Sequence, residues 1–218
     1  MHAFYLHGFA SSARSKKAAY FADRFRAAGI ALRCPDFNEP DFTSMTMTRM
    51  LAQLESEMTK LGPGPVVLVG SSLGAVVALY TAVRAAARVD RLVLLAPGVM
   101  FGREDPPFLS AEDVQAWRRT GMLEIFHWAD GSHKPLSYAF YEDSLHYDVT
   151  SVQVSQPMLI MQGRQDPIVD WRSVERFASA RPNATLTLLD DDHQMLSSLP
   201  RIWNEMAAFV GLPASTEF

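Results

Sequence analysis

The feature that most limits what this chain can fold into is a rhythm. Short apolar runs bounded by Gly, Pro or Asp alternate with longer segments of helical period. The runs predict strands at residues 3–6, 31–34, 66–69, 91–95, 158–161 and 184–189. Several are apolar at nearly every position, as in Pro65-Val-Val-Leu-Val69, which suits strands covered by helices on both faces. Helical patterns fall between them at 16–28, 45–60, 73–87, 171–180 and 200–210. Ser15 is placed to cap the first and Gly29 to end it, while Gly62 and Pro63 stop the second. Parallel neighbours cannot be joined by a tight turn, and the helices supply the crossovers. The expectation is an α/β fold, a mostly parallel sheet with helices on both faces.

Composition fits one core. The 218 residues, 48% of them apolar and 20% charged, exceed a typical domain of about 150 but would make two cramped ones. The excess lies in one place. Residues 98–156, 59 positions where a single crossover helix would suffice, are read as a lid or cap insertion in a single domain spanning 1–218. Inside it, 111–120 has a helical pattern, Asp130-Gly131 is a hairpin-turn signal and 138–146 suggests another helix. The insertion holds nine of the 23 aromatics, Phe101, Phe108, Trp117, Phe126, Trp128, Tyr138, Phe140, Tyr141 and Tyr147. These rings either pack the insertion onto the body or wall a substrate pocket, and both roles can hold together.

Charge and cysteine content exclude several functions. A net charge of −4 leaves no cationic surplus for a phosphate backbone, so nucleic acid is not an expected partner. Cys34 is the only cysteine, which rules out an intramolecular disulfide and any multi-cysteine metal site and favours a reducing, cytoplasmic setting. The first residues lack the features of a signal peptide, and no apolar run approaches the ~20 residues of a membrane span. Lys16, Lys17, Arg24 and Arg26 on the first helix are read as a solvated face, with a basic membrane-binding surface as the alternative. His127, Asp130 and His133 could suggest a metal site, but a hairpin turn through Asp130-Gly131 explains them better. No phosphate-loop sequence is present, and no cofactor is expected.

The chemistry concentrates at Gly70-Ser71-Ser72-Leu73-Gly74, a G-x-S-x-G sequence between a predicted strand and a predicted helix. A nucleophile on so sharp a bend brings the residues two before and two after it into close approach, so both must be small. Ser72 has Gly70 and Gly74 at those places, whereas Ser71 would have Val69 and Leu73. The bend also sets Ser72 at a helix N-terminus, which favours developing negative charge. A serine needs a base, normally a histidine oriented by a carboxylate. His193 follows the last predicted strand, and Asp166 follows the strand before it, in Gly163-Arg-Gln-Asp-Pro-Ile-Val169.

The order Ser72, Asp166, His193, together with Tyr5-Leu-His-Gly-Phe-Ala-Ser-Ser12 after the first strand, resembles the α/β-hydrolases, in particular the small bacterial YqiA-like serine esterases. The resemblance covers nearly the whole chain. It implies an oxyanion hole formed by the backbone N–H groups of Phe9 and Leu73, with His7 shaping that loop. The sequence departs from the usual pattern before the histidine, where Asp190-Asp191-Asp192 replaces a Gly-rich approach. Asp166 is the expected orienting acid, with Asp170 or Asp192 as alternatives, and Asp191 or Asp192 is also placed to contact His193. The expected reaction is hydrolysis of a small-molecule carboxylic ester through an acyl-enzyme. A thioesterase, a lactone hydrolase and a non-catalytic binding protein on the same fold are the competing readings.

Overall fold

The computed structural model describes residues 1–104 and 109–212. Its central element is a six-stranded sheet of β1 (His2–Leu6), β2 (Leu32–Arg33), β3 (Val66–Ser71), β4 (Val89–Leu95), β7 (Met158–Gly163) and β8 (Ala184–Leu189). The spatial order is β2-β1-β3-β4-β7-β8, and every pairing is parallel. The helices are α1 (Lys16–Ala27), α2 (Met47–Thr59), α3 (Leu73–Arg84), α4 (Ala111–Thr120), α5 (Ala139–Ser144), α6 (Trp171–Ser179) and α7 (Leu199–Val210). Ser15 caps α1 as expected, its hydroxyl accepting from the Ala18 N–H. The second strand shrinks to two residues, and the 45–60 helix starts two residues later, behind a Thr46 cap.

The apolar runs divide by parity. Phe4, Leu6, Leu68, Leu92, Leu94 and Ile160 join one core with residues of α2, α3 and α6. Their neighbours Ala3, Tyr5, Val67, Val69, Val93, Leu95 and Met161 join the other with α1 and α7. Period-two alternation of side chains thus buries both faces of the sheet, which is why residues 3–6, 66–69, 92–95 and 158–161 are apolar throughout. On the second face Trp203 of α7 meets Phe25 of α1 edge-on, with ring centroids 5.1 Å apart.

The β4–β7 segment carries α4, the antiparallel hairpin β5 (Met122–His127) and β6 (Ser132–Ser137), and then α5. The Asp130-Gly131 turn forms as read, with Gly131 at φ +64°. Ser110 and Asp113 make a reciprocal capping box at the start of α4. Trp117 and Tyr147 are buried packing residues, whereas Phe126 and Trp128 are exposed and stack edge-on. Phe108 lies outside the described residues. Among the described residues no helix is long and apolar enough to cross a membrane.

The solvated-face reading of α1 holds for Lys16, Arg24 and Arg26 and fails for Lys17. That side chain is only 7% exposed, and its Nζ donates to Ser71 Oγ at 2.9 Å. Residues at the start of a helix lean back toward its N-terminus, which carries Lys17 under the end of the sheet.

Because Trp203 joins α7 to α1, Trp203→Ala should lower unfolding free energy by about 3–5 kcal/mol in denaturant titrations. Val83→Ala, at a position 46% exposed, should change it by less than about 0.5 kcal/mol.

Candidate active site

β3 ends in a sharp reversal into α3. Ser72 sits on it at φ 54°, ψ −114°, a conformation that costs a non-glycine residue roughly 1–3 kcal/mol. Three backbone bonds hold it there: the Ser72 N–H donates to Leu95 O at 2.9 Å, and Ser72 O accepts from the Ala75 and Gly98 N–H groups. The Ser72 side chain does not cap its own helix.

The flanking glycines are required by contact. A Cβ on Gly70 would lie 2.4 Å from Gly74 O, and one on Gly74 would lie 2.0 Å from Leu6 O and 2.7 Å from His7 O. The bend therefore packs directly against the end of β1. Gly8 closes the same gap from the other side, since a Cβ there would meet both Ser71 O and Ser72 Cβ at 3.2 Å. This brings the 7–10 loop, with Phe9, alongside Ser72.

His7 is buried and fixes that loop. Its Nε2 accepts from the Phe37 N–H at 2.9 Å, which leaves the proton on Nδ1 to donate to Gly8 O at 2.9 Å. A ring engaged at both nitrogens shapes the loop, as expected.

Asp166 and His193 meet. His193 Nδ1 donates to Asp166 Oδ2 at 2.7 Å, across 27 residues of sequence, and the Asp166 side chain is fully buried. Gln162 Nε2 donates to the same oxygen at 2.9 Å, while the Ile168 and Val169 N–H groups donate to Oδ1 at 2.8 and 2.9 Å. Burial alone would raise the Asp166 pKa. The hydrogen bonds from His193 and the two backbone N–H groups outweigh it and hold the carboxyl below its ordinary range. The group is an anion bonded to the imidazole through Nδ1. Gln162 was not singled out from sequence, because a lone amide at the end of a strand carries no motif.

The three aspartates before His193 build its loop. Asp192 Oδ1 accepts from the Gln194 and Met195 N–H groups, Asp191 accepts from the Asp192 and Ser198 N–H groups, and Asp190 accepts from Gln165 Nε2. Carboxylates thus supply the acceptors that make the turn. Asp170 caps α6, its side chain accepting from the Arg172 N–H. His193 Nδ1 is bonded to Asp166, and Asp170, Asp191 and Asp192 are taken up by backbone N–H groups. Gly163 lets the two loops touch, since a Cβ there would lie 2.3 Å from Asp191 O.

Rings surround the 7–10 loop. Phe9 packs between Phe42, 5.6 Å away, and Phe140 of α5, 5.4 Å away, and Phe140 meets Phe101 at 6.0 Å. The β5–β6 hairpin docks nearby through His127, whose Nε2 lies 3.1 Å from Asn38 Oδ1 and whose Nδ1 lies 2.9 Å from Asp130 Oδ2. Asn38 in turn donates to Ser11 O at 2.8 Å. Burial lowers the His127 pKa, with Asp130 opposing. Cys34 is partly buried against the core of the α1 face, where desolvation pushes its thiol up to about 11 and leaves it a poor nucleophile.

A family model matches residues 2–211. The chain belongs to the uncharacterised protein family UPF0227. No curated protein is significantly similar to it in sequence. Solved structures place this UPF0227 member among the α/β-hydrolase folds. A candidate hydrolase from Agrobacterium vitis S4 superposes with a TM-score of 0.85 at 24% identity, over 96% of this chain and 87% of that one. Alpha/beta hydrolase domain-containing protein 10 from mouse gives 0.80 at 19% identity, over 96% and 89%. Est1E from Butyrivibrio proteoclasticus, in a structure with bound ferulic acid, gives 0.81 at 18% identity, over 95% and 87%.

Gly74→Ala should force the bend away from β1 and cost roughly 2–3 kcal/mol, read as a drop in thermal midpoint. Gly62→Ala, where a Cβ meets nothing within 4 Å, should leave the midpoint unchanged or slightly raised.

Proposed function

We propose that this protein is a serine hydrolase that cleaves carboxylic esters of small, largely apolar acyl groups through an acyl-enzyme. The observation that carries the proposal is the pairing of a buried, ionised Asp166 with His193 Nδ1 on the sheet edge where the strained Ser72 sits. A backbone held at φ 54° is costly, and a mere turn would relax by placing glycine there.

In this reading His193 Nε2 accepts the Ser72 proton as Oγ attacks the ester carbonyl. The N–H groups of Phe9 and Leu73 stabilise the oxyanion, helped by the N-terminal end of α3. The imidazolium then protonates the leaving alkoxide. A water, deprotonated by the same nitrogen, releases the acid and restores the serine. Asp166 stays ionised throughout and stabilises the imidazolium.

The β4–β7 segment, 98–156, acts as a cap over one domain. Phe101 and Phe140 from that segment, with Phe9 and Phe42, form the apolar wall that receives the acyl group. Est1E, with ferulic acid bound, shows that an aromatic carboxylic acid is accommodated on the same fold in another protein. A panel of nitrophenyl esters, acyl thioesters and lactones of increasing acyl length, compared by kcat/KM, separates the ester reading from the thioesterase and lactone-hydrolase readings.

Ser72→Ala should stay folded while losing several orders of magnitude in kcat and all labelling by a fluorophosphonate probe; substantial residual hydrolysis would refute the assignment. Asp166→Asn should lower kcat by about 10⁴, because the amide favours the wrong imidazole tautomer. The ratio kcat/KM should fall toward acid pH as the imidazole takes up a proton, and a rate that stays flat from pH 5 to 8 would exclude His193 as the base.

A further inference from the structure

Gln162 is the one polar side chain in β7. It follows Met158-Leu-Ile-Met161 on a strand that is buried throughout, and none of its own surface is exposed. Burying an amide is unfavourable unless its donors and its acceptor are bonded, and a methionine or leucine would fill the same place without that penalty. Packing therefore does not explain a glutamine at this position.

Its partners do. Nε2 donates to Asp166 Oδ2 at 2.9 Å and faces the main-chain oxygens of Val169 and Gly163, each at 3.1 Å. All three are acceptors, which fixes the orientation of the amide: turned over, Oε1 would meet a carboxylate and two carbonyls. Oε1 itself is buried with no hydrogen-bond partner among the described residues. A glutamine serving stability alone would have both ends bonded. This one leaves its acceptor unpaired and brings its donors onto Asp166 and the main chain of the loop that carries it.

The effect is felt at Asp166. Each oxygen of an ionised carboxylate offers two lone pairs. The Ile168 and Val169 N–H groups both donate to Oδ1, at 2.8 and 2.9 Å. Gln162 occupies one side of Oδ2, so one side of that oxygen is left, and His193 Nδ1 fills it at 2.7 Å.

We propose that Gln162 is a positioning residue for the catalytic base: by occupying one side of Asp166 Oδ2 it confines the His193 imidazole to the other and fixes the direction in which the ring points. It acts through Asp166, since a residue with no exposed surface cannot touch a substrate. The role rests on the proposed hydrolase reading, and one readout of its test needs no activity.

The test compares wild type with Gln162→Met and Gln162→Asn, and with Gln156→Met as a control. Met keeps the length and volume of the side chain without the donors, whereas Asn keeps a buried amide that is one methylene too short for the same contact. Gln156 is also buried, and its Nε2 donates to the main-chain oxygens of Ala82 and Ala86, at the end of α3 remote from Ser72. Both Gln162 variants should lose about ten- to hundredfold in kcat on a nitrophenyl ester, the worth of a hydrogen bond to a charged group, with KM unchanged. Gln156→Met should lower the thermal midpoint and leave kcat unchanged. With no substrate present, the His193 Nδ1 proton held by Asp166, followed by NMR, should exchange with water several-fold faster in both Gln162 variants than in wild type or Gln156→Met.

An unchanged kcat in the folded Gln162 variants, or exchange as slow as in wild type, overturns the proposal, and so does an equal loss of kcat in Gln156→Met. If Gln162→Met fails to fold, Gln162→Asn carries the comparison; failure of both would mark a structural residue and overturn the proposal as well. Exchange that quickens as stated in a protein that hydrolyses no ester would refute the hydrolase reading and leave Gln162 as the residue that orients His193.

Discussion

Everything at the site hangs on one close approach, the backbone of the β3–α3 bend against the end of β1. Gly74 has no room for a single carbon between itself and Leu6 O, and Gly8 has little between itself and Ser72. That contact forces Ser72 into its strained conformation, starts α3 at Leu73 and sets the 7–10 loop alongside. The cost of the bend is carried by the sheet. β3 is central, buried along its whole length and bonded on both sides, so the strain cannot relax by moving the strand.

A second hub lies across the sheet edge at Asp166. Four donors converge on one carboxylate, two of them backbone N–H groups of its own loop. The β8–α7 loop is tied to it twice, through His193 and through the packing of Gly163 against Asp191 O. Carboxylates dominate this corner because they are the acceptors that close its turns.

Much of this was legible in the chain. The strand–helix rhythm gave the parallel sheet, and the spacing of Gly70 and Gly74 singled out Ser72 over Ser71, because close approach is a local requirement written in local residues. Ser15 and the Asp130-Gly131 turn were readable for the same reason. Two features were not. Lys17 sits beside Lys16 on a helix whose other basic residues face water, and nothing in the sequence separates the two. The roles of Asp190, Asp191 and Asp192 were equally open, since three identical side chains in a row carry no spacing signal.

The sequence by itself thus determined the class of fold, the position of the bend and the residue on it, all consequences of short-range sterics and hydrophobic period. Only the tertiary structure decided which aspartate meets His193 and that Lys17 turns inward. Those contacts join residues 27 and 54 positions apart. Their geometry is set by which strands lie side by side, with β1 against β3 and β7 against β8, and no local pattern encodes that order.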